Sequence, residues 1–175
     1  MSKMIQIVCK LGLIALLLAP TESWAFPEDS CTNNAVPRTT PSSDFTVMGN
    51  GSVVRHETTG LEWQRCAVGQ TWDGSTCTGS ASSRTWQGAL DVAAAAGDGW
   101  RLPNVNELRS IVEECRIIPA INRVVFPNSP SSYFWSASPY AGYSGSAWGV
   151  HFSSGSDSRS SKSNNNRVRL VRGGQ

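Results

Sequence analysis

Leu61-Glu62-Trp63-Gln64-Arg65 alternates apolar with polar residues, as a strand with one buried face does, and turns Leu61 and Trp63 toward a core. Ala147 to Phe152 alternates in the same way, with Trp148, Val150 and Phe152 on one side. Between these stretches the period lengthens to that of a helix. Trp86, Leu90 and Ala93 or Ala94 form a stripe behind Thr85, a good N-cap, and Gly97 ends it. Val105, Leu108, Ile111 and Val112 form a second stripe. Its entry is marked by Pro103, by Asn104 as N-cap and by Glu107 three residues later, which together spell a capping box. Arg101, just before this turn, is expected in a structural ion pair and Trp100 in the core.

The remaining segments read mostly as strands and turns. Two β-rich runs flank Gly49-Asn50-Gly51, which predicts a hairpin, and His56 to Gly60 is a second turn. Tyr133 to Ser138 is strand-like. Ser153 to Asn166 is small and polar throughout and reads as a loop. Arg167 to Arg172 reads as a closing strand with Arg167 and Arg169 on one side and Val168 and Leu170 on the other. Two short helices among several strands predict an α+β fold, the helices packed on small antiparallel sheets.

The chain ends change this picture only at the start. Lys3 and Lys10 flank the apolar run Leu11 to Ala19, and Ser23-Trp24-Ala25 supplies small residues at a cleavage site. Residues 1–25 are therefore expected to be a secretory signal peptide, too short in its apolar run to remain as a membrane span. Residues 26–44 read as an extended lead-in rich in Pro, Ser, Thr and Asn, and residues 45–175 as one domain. Without Lys3, Lys10 and Glu22 the chain carries 13 basic and 12 acidic residues, a balance that points to no nucleic-acid partner. The distribution is less even. After Cys115 there are seven basic residues and a single acid, Asp157.

Four cysteines follow the predicted signal, an even number in an exported chain, and no Cys-x-x-Cys pair suggests zinc. Three pairings exist. Cys66 and Cys77 enclose a short Gly/Ser/Thr loop that closes easily, which leaves Cys31 for Cys115. Trp72 within that loop is either a lid on the core or an exposed platform.

Catalysis finds little support. His56 and His151 stand beside no nucleophile motif, no Gly-x-Ser-x-Gly elbow occurs, and four paired cysteines leave no thiol. The carboxylates lack the spacing of an EF-hand, so no metal ligands or cofactor are assigned, and a calcium site is not supported. Binding has more behind it. The C-terminal third combines Tyr133, Trp135, Tyr140, Tyr143 and Trp148 with small polar residues and arginines. Such residues build adaptable recognition surfaces, and Arg or Lys clamps sulfate or carboxylate. Arg159, Lys162, Arg167 and Arg169, with Tyr140 and Tyr143, are the expected ligand-contacting residues, and an anionic glycan is the expected partner. A second reading makes residues 140–166 a protein-recognition surface. Weak exposed contacts gain from acting together, which leaves a homo-oligomer open.

Thr59 to Cys66 and Gly99 to Asn104 with Glu107-Leu108 resemble signatures of the Lcl C-terminal domain family. Pro119 to Asn122, Phe126 to Asn128, Tyr133 to Ser136 and Val168 to Gly174 fit it too. The resemblance implies a bacterial exported domain of adhesin-like surface proteins, periplasmic, secreted or on the cell surface, with a C-type-lectin-like fold. The family's collagen-like adhesins carry a Gly-x-y stalk, which does not occur in these 175 residues. A more distant similarity, through Arg101-Leu102-Pro103 and Arg169 to Gly174, is to the formylglycine-generating sulfatase modifiers. Those enzymes use late cysteines, and none follows Cys115 here. The Glu-Pro-Asn loop and Trp-Asn-Asp strand of calcium-dependent lectins are absent as well.

Overall fold

The computed structural model describes residues 29–174; the signal-peptide reading of residues 1–25 lies outside the described residues. In chain order the strands and helices are β1 Phe45–Met48, β2 Val53–His56, β3 Leu61–Gln64, β4 Thr71–Trp72, β5 Cys77–Thr78 and β6 Ser83–Arg84, then α1 Trp86–Ala95 and α2 Val105–Arg109. The chain continues with β7 Tyr133–Pro139, β8 Ser146–His151, β9 Ser156–Ser161, β10 Asn166–Arg167 and β11 Val171–Gly173. Strands β1-β2-β3-β11 form one sheet, β6-β10-β7-β8-β9 a second, and β4-β5 a small ribbon. The α+β class stands. The pairing is antiparallel except at β10, which runs parallel to β7.

The two larger sheets are separated by the main core. Trp63 and Val54 from the first sheet, Leu108 from α2, and Phe134 and Val150 from the second sheet all pack into it with no exposed area. The alternation of β7 and β8 sends Trp135 and Ala147 the other way, onto Ala89 and Ala93 of α1, and so builds a second core. Between these faces Gly149 admits no side chain, because a Cβ there would collide with the Phe134 carbonyl and the Tyr133 ring. Trp148 is half-buried, its ring meeting Tyr140 edge-on at 5.2 Å instead of joining the core with Val150 and Phe152.

Helix starts follow their caps. Thr85 Oγ1 accepts from the Gly88 N–H at 3.2 Å. At α2 the Asn104 side chain accepts from Glu107 N at 2.9 Å while Glu107 accepts from Asn104 N at 2.8 Å, the reciprocal capping box. Glu107 also receives both guanidinium nitrogens of Arg101 at 2.7 Å, which confirms the ion pair. Burial opposes ionisation of Glu107, but these donors outweigh it and hold the carboxyl below its ordinary value. α2 is shorter than its stripe: Ile111 and Val112 lie in the turn beyond it and are still buried.

Two disulfides join Cys31 to Cys115 and Cys66 to Cys77, the pairing predicted from the sequence. The lead-in is held by more than a staple. The buried Glu113 carboxylate accepts from the backbone N–H groups of Thr39 at 3.0 Å, Thr40 at 2.9 Å and Cys115 at 3.2 Å. Buried Asp29 pairs with Arg116 and Arg123, both at 3.2 Å. Burial opposes its charge as well, and the Arg123 hydrogen bonds with the Arg116 field outweigh it, so its pKa is lowered.

Two stretches depart from the sequence reading. Ser153 to Asn166 is not a loop, because β9 occupies its middle as an edge strand paired with β8 over six positions. The closing strand is split, with β10 in the five-stranded sheet and β11 in the four-stranded one. Val168, Arg169 and Leu170 cross between the sheets, all buried.

Candidate functional site

The split strand decides where the predicted ligand residues go. Side chains two apart share a face only while the strand continues, and here it stops after Arg167. Arg169 therefore turns inward and has no exposed area. Its guanidinium donates to the Gln64 carbonyl at 2.9 Å, to the Arg65 carbonyl and to Ser129 Oγ at 2.8 Å. It also lies 4.8 Å from the Phe126 ring centre. Burial pulls its pKa down to about 9, so it remains charged at neutral pH. Arg169 is an internal tie and not part of a ligand surface.

Arg159 and Lys162 also part company. Arg159 sits on β9 opposite Trp148, its guanidinium 5.3 Å over the Tyr140 ring. Its neighbour Ser160 faces the other way, and Ser160 Oγ accepts from Asn164 at 3.0 Å and Asn166 at 3.3 Å. The 162–166 turn thus folds over the face opposite Arg159, the face that carries α1. Lys162 is half-buried there and not fully exposed as its polar surroundings imply. Its carbonyl accepts from Trp86 N at 3.0 Å, and its Nζ stands 4.2 Å from the Trp86 ring centre. Tyr143 is 61 % exposed in the β7–β8 turn. The structure joins Arg159 to Tyr140, places Lys162 beside α1 and Arg167 at the Ala81 carbonyl, and removes Arg169 from both.

A cleft of about 320 Å³ opens around Arg167. Tyr133 and His151, directly paired across β7 and β8, line it with Asn165, Asn166 and three serines. Arg167 donates to the Ala81 carbonyl. The His151 ring binds Ser153 Oγ through Nδ1 at 2.7 Å, and the Tyr133 hydroxyl donates to the Ser158 carbonyl at 2.6 Å. Burial pushes the Tyr133 phenol up to about 12, so it stays protonated. No carboxylate lines the cleft. Among the described residues Arg84, Lys162 and Arg167 have no carboxylate within 4.0 Å; Asp157, whose field reaches Tyr133, is paired with Arg109 at 3.3 Å. The site offers uncompensated positive charge and neutral hydrogen-bonding groups, a combination suited to holding an anion.

Tyr133, His151, Asn165 and Asn166 are not among the expected ligand-contacting residues, Tyr133 being named only with the C-terminal aromatics. His151 looks like a solvent-facing strand residue, and only the run Asn164-Asn165-Asn166 before Arg167 signals a polar site. Among the described residues no three His, Cys, Asp or Glu side chains converge so as to hold a metal ion. No helix of the described residues is long and apolar enough to cross a membrane.

A small α+β domain closed by two disulfides suits the oxidising space outside the cytosol. The chain belongs to the Lcl C-terminal domain family, exported domains of poorly known function, whose match spans residues 52–172. That span includes every residue lining the Arg167 cleft. No curated protein matches the chain.

Proposed function

We propose that this domain is a recognition module working outside the cytosol, and that the Arg167 cleft binds sulfate or uronate groups of an anionic glycan. The observation that carries the reading is the charge of Arg167, without a carboxylate partner, at a cleft lined by no acid, with Arg84 paired to the lining residue Asn166. This set leaves out Arg159, on the other face of its sheet, and buried Arg169, both expected beside Lys162 and Arg167. A C-type-lectin-like fold agrees with the closure of N-terminal β1 to β3 and C-terminal β11 into one sheet, and with the two disulfides.

A binding role, as opposed to catalysis, is supported by how the reactive groups are used. The four described cysteines are disulfide-bonded. Buried His56 stacks on Phe45 at 4.7 Å, and its Nδ1 meets Thr59 Oγ1 at 3.0 Å. We assign no cofactor and no calcium to the site.

The test is retention on immobilised heparin over a salt gradient. Each partly exposed cation is worth about 1 kcal/mol, or about fivefold in affinity. Arg167→Ala and Lys162→Ala should both elute at lower salt, and their double variant earlier still, with melting temperatures near wild type. Arg159→Ala should elute like the parent. Unchanged elution of the double variant refutes the proposal. Binding of a protein ligand that resists high salt would favour the protein-recognition reading, because exposed charge contacts are screened within about 8 Å at physiological salt.

A further inference from the structure

A second cleft, of about 240 Å³, lies on the four-stranded sheet and is lined by two tryptophans. Val53 and Gln64, paired in register across β2 and β3, line it from the sheet. Trp72 comes from the β4–β5 ribbon, whose base is clamped by the Cys66–Cys77 bridge. Its Nε1 donates to the Asn50 carbonyl of the β1–β2 turn at 3.2 Å, and the Arg65 guanidinium stands 4.2 Å from its ring centre. Trp100 arrives from the side of β11, with the Arg172 guanidinium 4.6 Å from its ring centre. Arg172 is itself fixed by Glu62 at 2.7 Å.

Both indoles are thus held in place, yet neither is buried, although indole rings contribute most when fully packed. None of the cleft's lining residues is charged. Its polar groups are two primary amides and a hydroxyl. Gln70 is anchored, accepting from Ala67 N at 3.1 Å and donating to the Asn128 carbonyl at 3.1 Å. Ser52 donates to Asn50 at 2.7 Å. The Gln64 side-chain amide makes no hydrogen bond among the described residues, so its donors and acceptor are available.

We infer that this cleft is a subsite for one uncharged pyranose ring. Fixed indoles match the apolar C–H face of such a ring, and a free amide matches its neighbouring hydroxyls. The two guanidiniums that back the indoles are already engaged, Arg65 by backbone carbonyls and Arg172 by Glu62, so an acidic sugar gains no advantage here. The volume lies below the about 300–1,000 Å³ of sites for drug-sized ligands and matches a single ring. The subsite lies on the other large sheet from the Arg167 cleft and does not depend on it.

Titration of the intact, isotopically labelled protein with methyl glucoside, methyl galactoside, methyl mannoside and N-acetylglucosamine, followed at the indole N–H resonances, tests the inference. At least one probe should shift the Trp72 and Trp100 signals together, with a dissociation constant on the order of 1 mM. Trp72→Ala should weaken that probe about tenfold or more. Trp72 also covers Arg65, so Gln64→Ala serves as the variant that breaks no internal hydrogen bond, and it should weaken the same probe about threefold. Arg167→Ala should leave the titration unchanged while lowering heparin retention, which separates failure of this subsite from failure of the anionic one. No indole shift with any probe, or wild-type binding by Gln64→Ala, overturns the inference.

Discussion

Replacing Arg169 with methionine keeps much of the side chain's volume and deletes the guanidinium. Three hydrogen bonds from a charged donor are lost, to the carbonyls of Gln64 and Arg65 and to Ser129 Oγ, at about 1.5–3 kcal/mol each. Against this stands relief from holding a cation in the interior without a carboxylate, worth several kcal/mol. The difference leaves a destabilisation of about 2–4 kcal/mol, the partners remaining buried without their donor. For a domain of this size each kcal/mol lowers the melting temperature by about 2–4 °C, so Arg169→Met should melt about 4–16 °C below the parent. Arg169→Ala adds a cavity beside Phe126 and Phe134 and should fall further. The assay is thermal unfolding without reductant, paired with heparin retention at a temperature where every variant is folded. Retention should not change. A methionine variant with the parent's melting temperature and lost retention would put Arg169 on the ligand surface and refute the internal assignment.

Acid lability should come in two stages. Burial lowers the His56 pKa from its ordinary 6.5, against the opposing fields of Asp44 and Glu57. The unfolded chain therefore takes up the proton first, and stability present above about pH 6.5 falls as the pH drops toward the folded value. His56→Phe, which keeps the stack on Phe45, should flatten melting temperature against pH in that window. The lowered carboxyls of Asp29 and Glu107 give stability that is present above the ordinary carboxylate range and lost as pH falls through their folded values, so a second decline should survive in the variant. Melting curves from pH 8 to pH 3 read both stages, and a flat parental profile above pH 5 refutes the first. The Cys31–Cys115 bridge spans 84 residues and Cys66–Cys77 spans 11. Chain entropy makes them worth about 4.5 and about 3 kcal/mol. Serine replacement of the first pair should cost more in urea unfolding, and equal or reversed costs would show that loop length does not govern their contribution.

Legibility in the sequence tracked how local the signal was. The capping box at Asn104 and Glu107, the turn at Gly49–Gly51 and the short Cys66–Cys77 loop depend on residues close along the chain, and each appears where read. β9 was illegible because its Ser-rich sequence has no apolar alternation; backbone pairing to β8 makes it a strand. The crossing at Val168–Leu170 was illegible for the opposite reason, its alternation being that of an unbroken strand. Arginine is rarely buried without a carboxylate partner, so nothing local marked Arg169 as internal. Both clefts join residues far apart in sequence, such as Ser83 with Asn166 and Trp72 with Trp100, and only pairing of the sheets brings them together.

The split terminal strand also sets an order of assembly. β10 is the link between β6 and β7, and β11 is the outer neighbour of β3 and of Arg101. A nascent chain that has emerged only as far as residue 165 leaves a gap in one sheet and an open edge on the other, so neither is complete before β10 and β11 arrive. Contacts this far apart in sequence make closure slow. All four bridging cysteines, by contrast, have emerged once Cys115 is available. Oxidation can therefore run ahead of sheet closure, with the covalent frame in place while β3 still exposes its hydrogen-bonding edge. A product cut short after Arg167 would keep both bridges and that open edge, the feature through which strands recruit one another into aggregates.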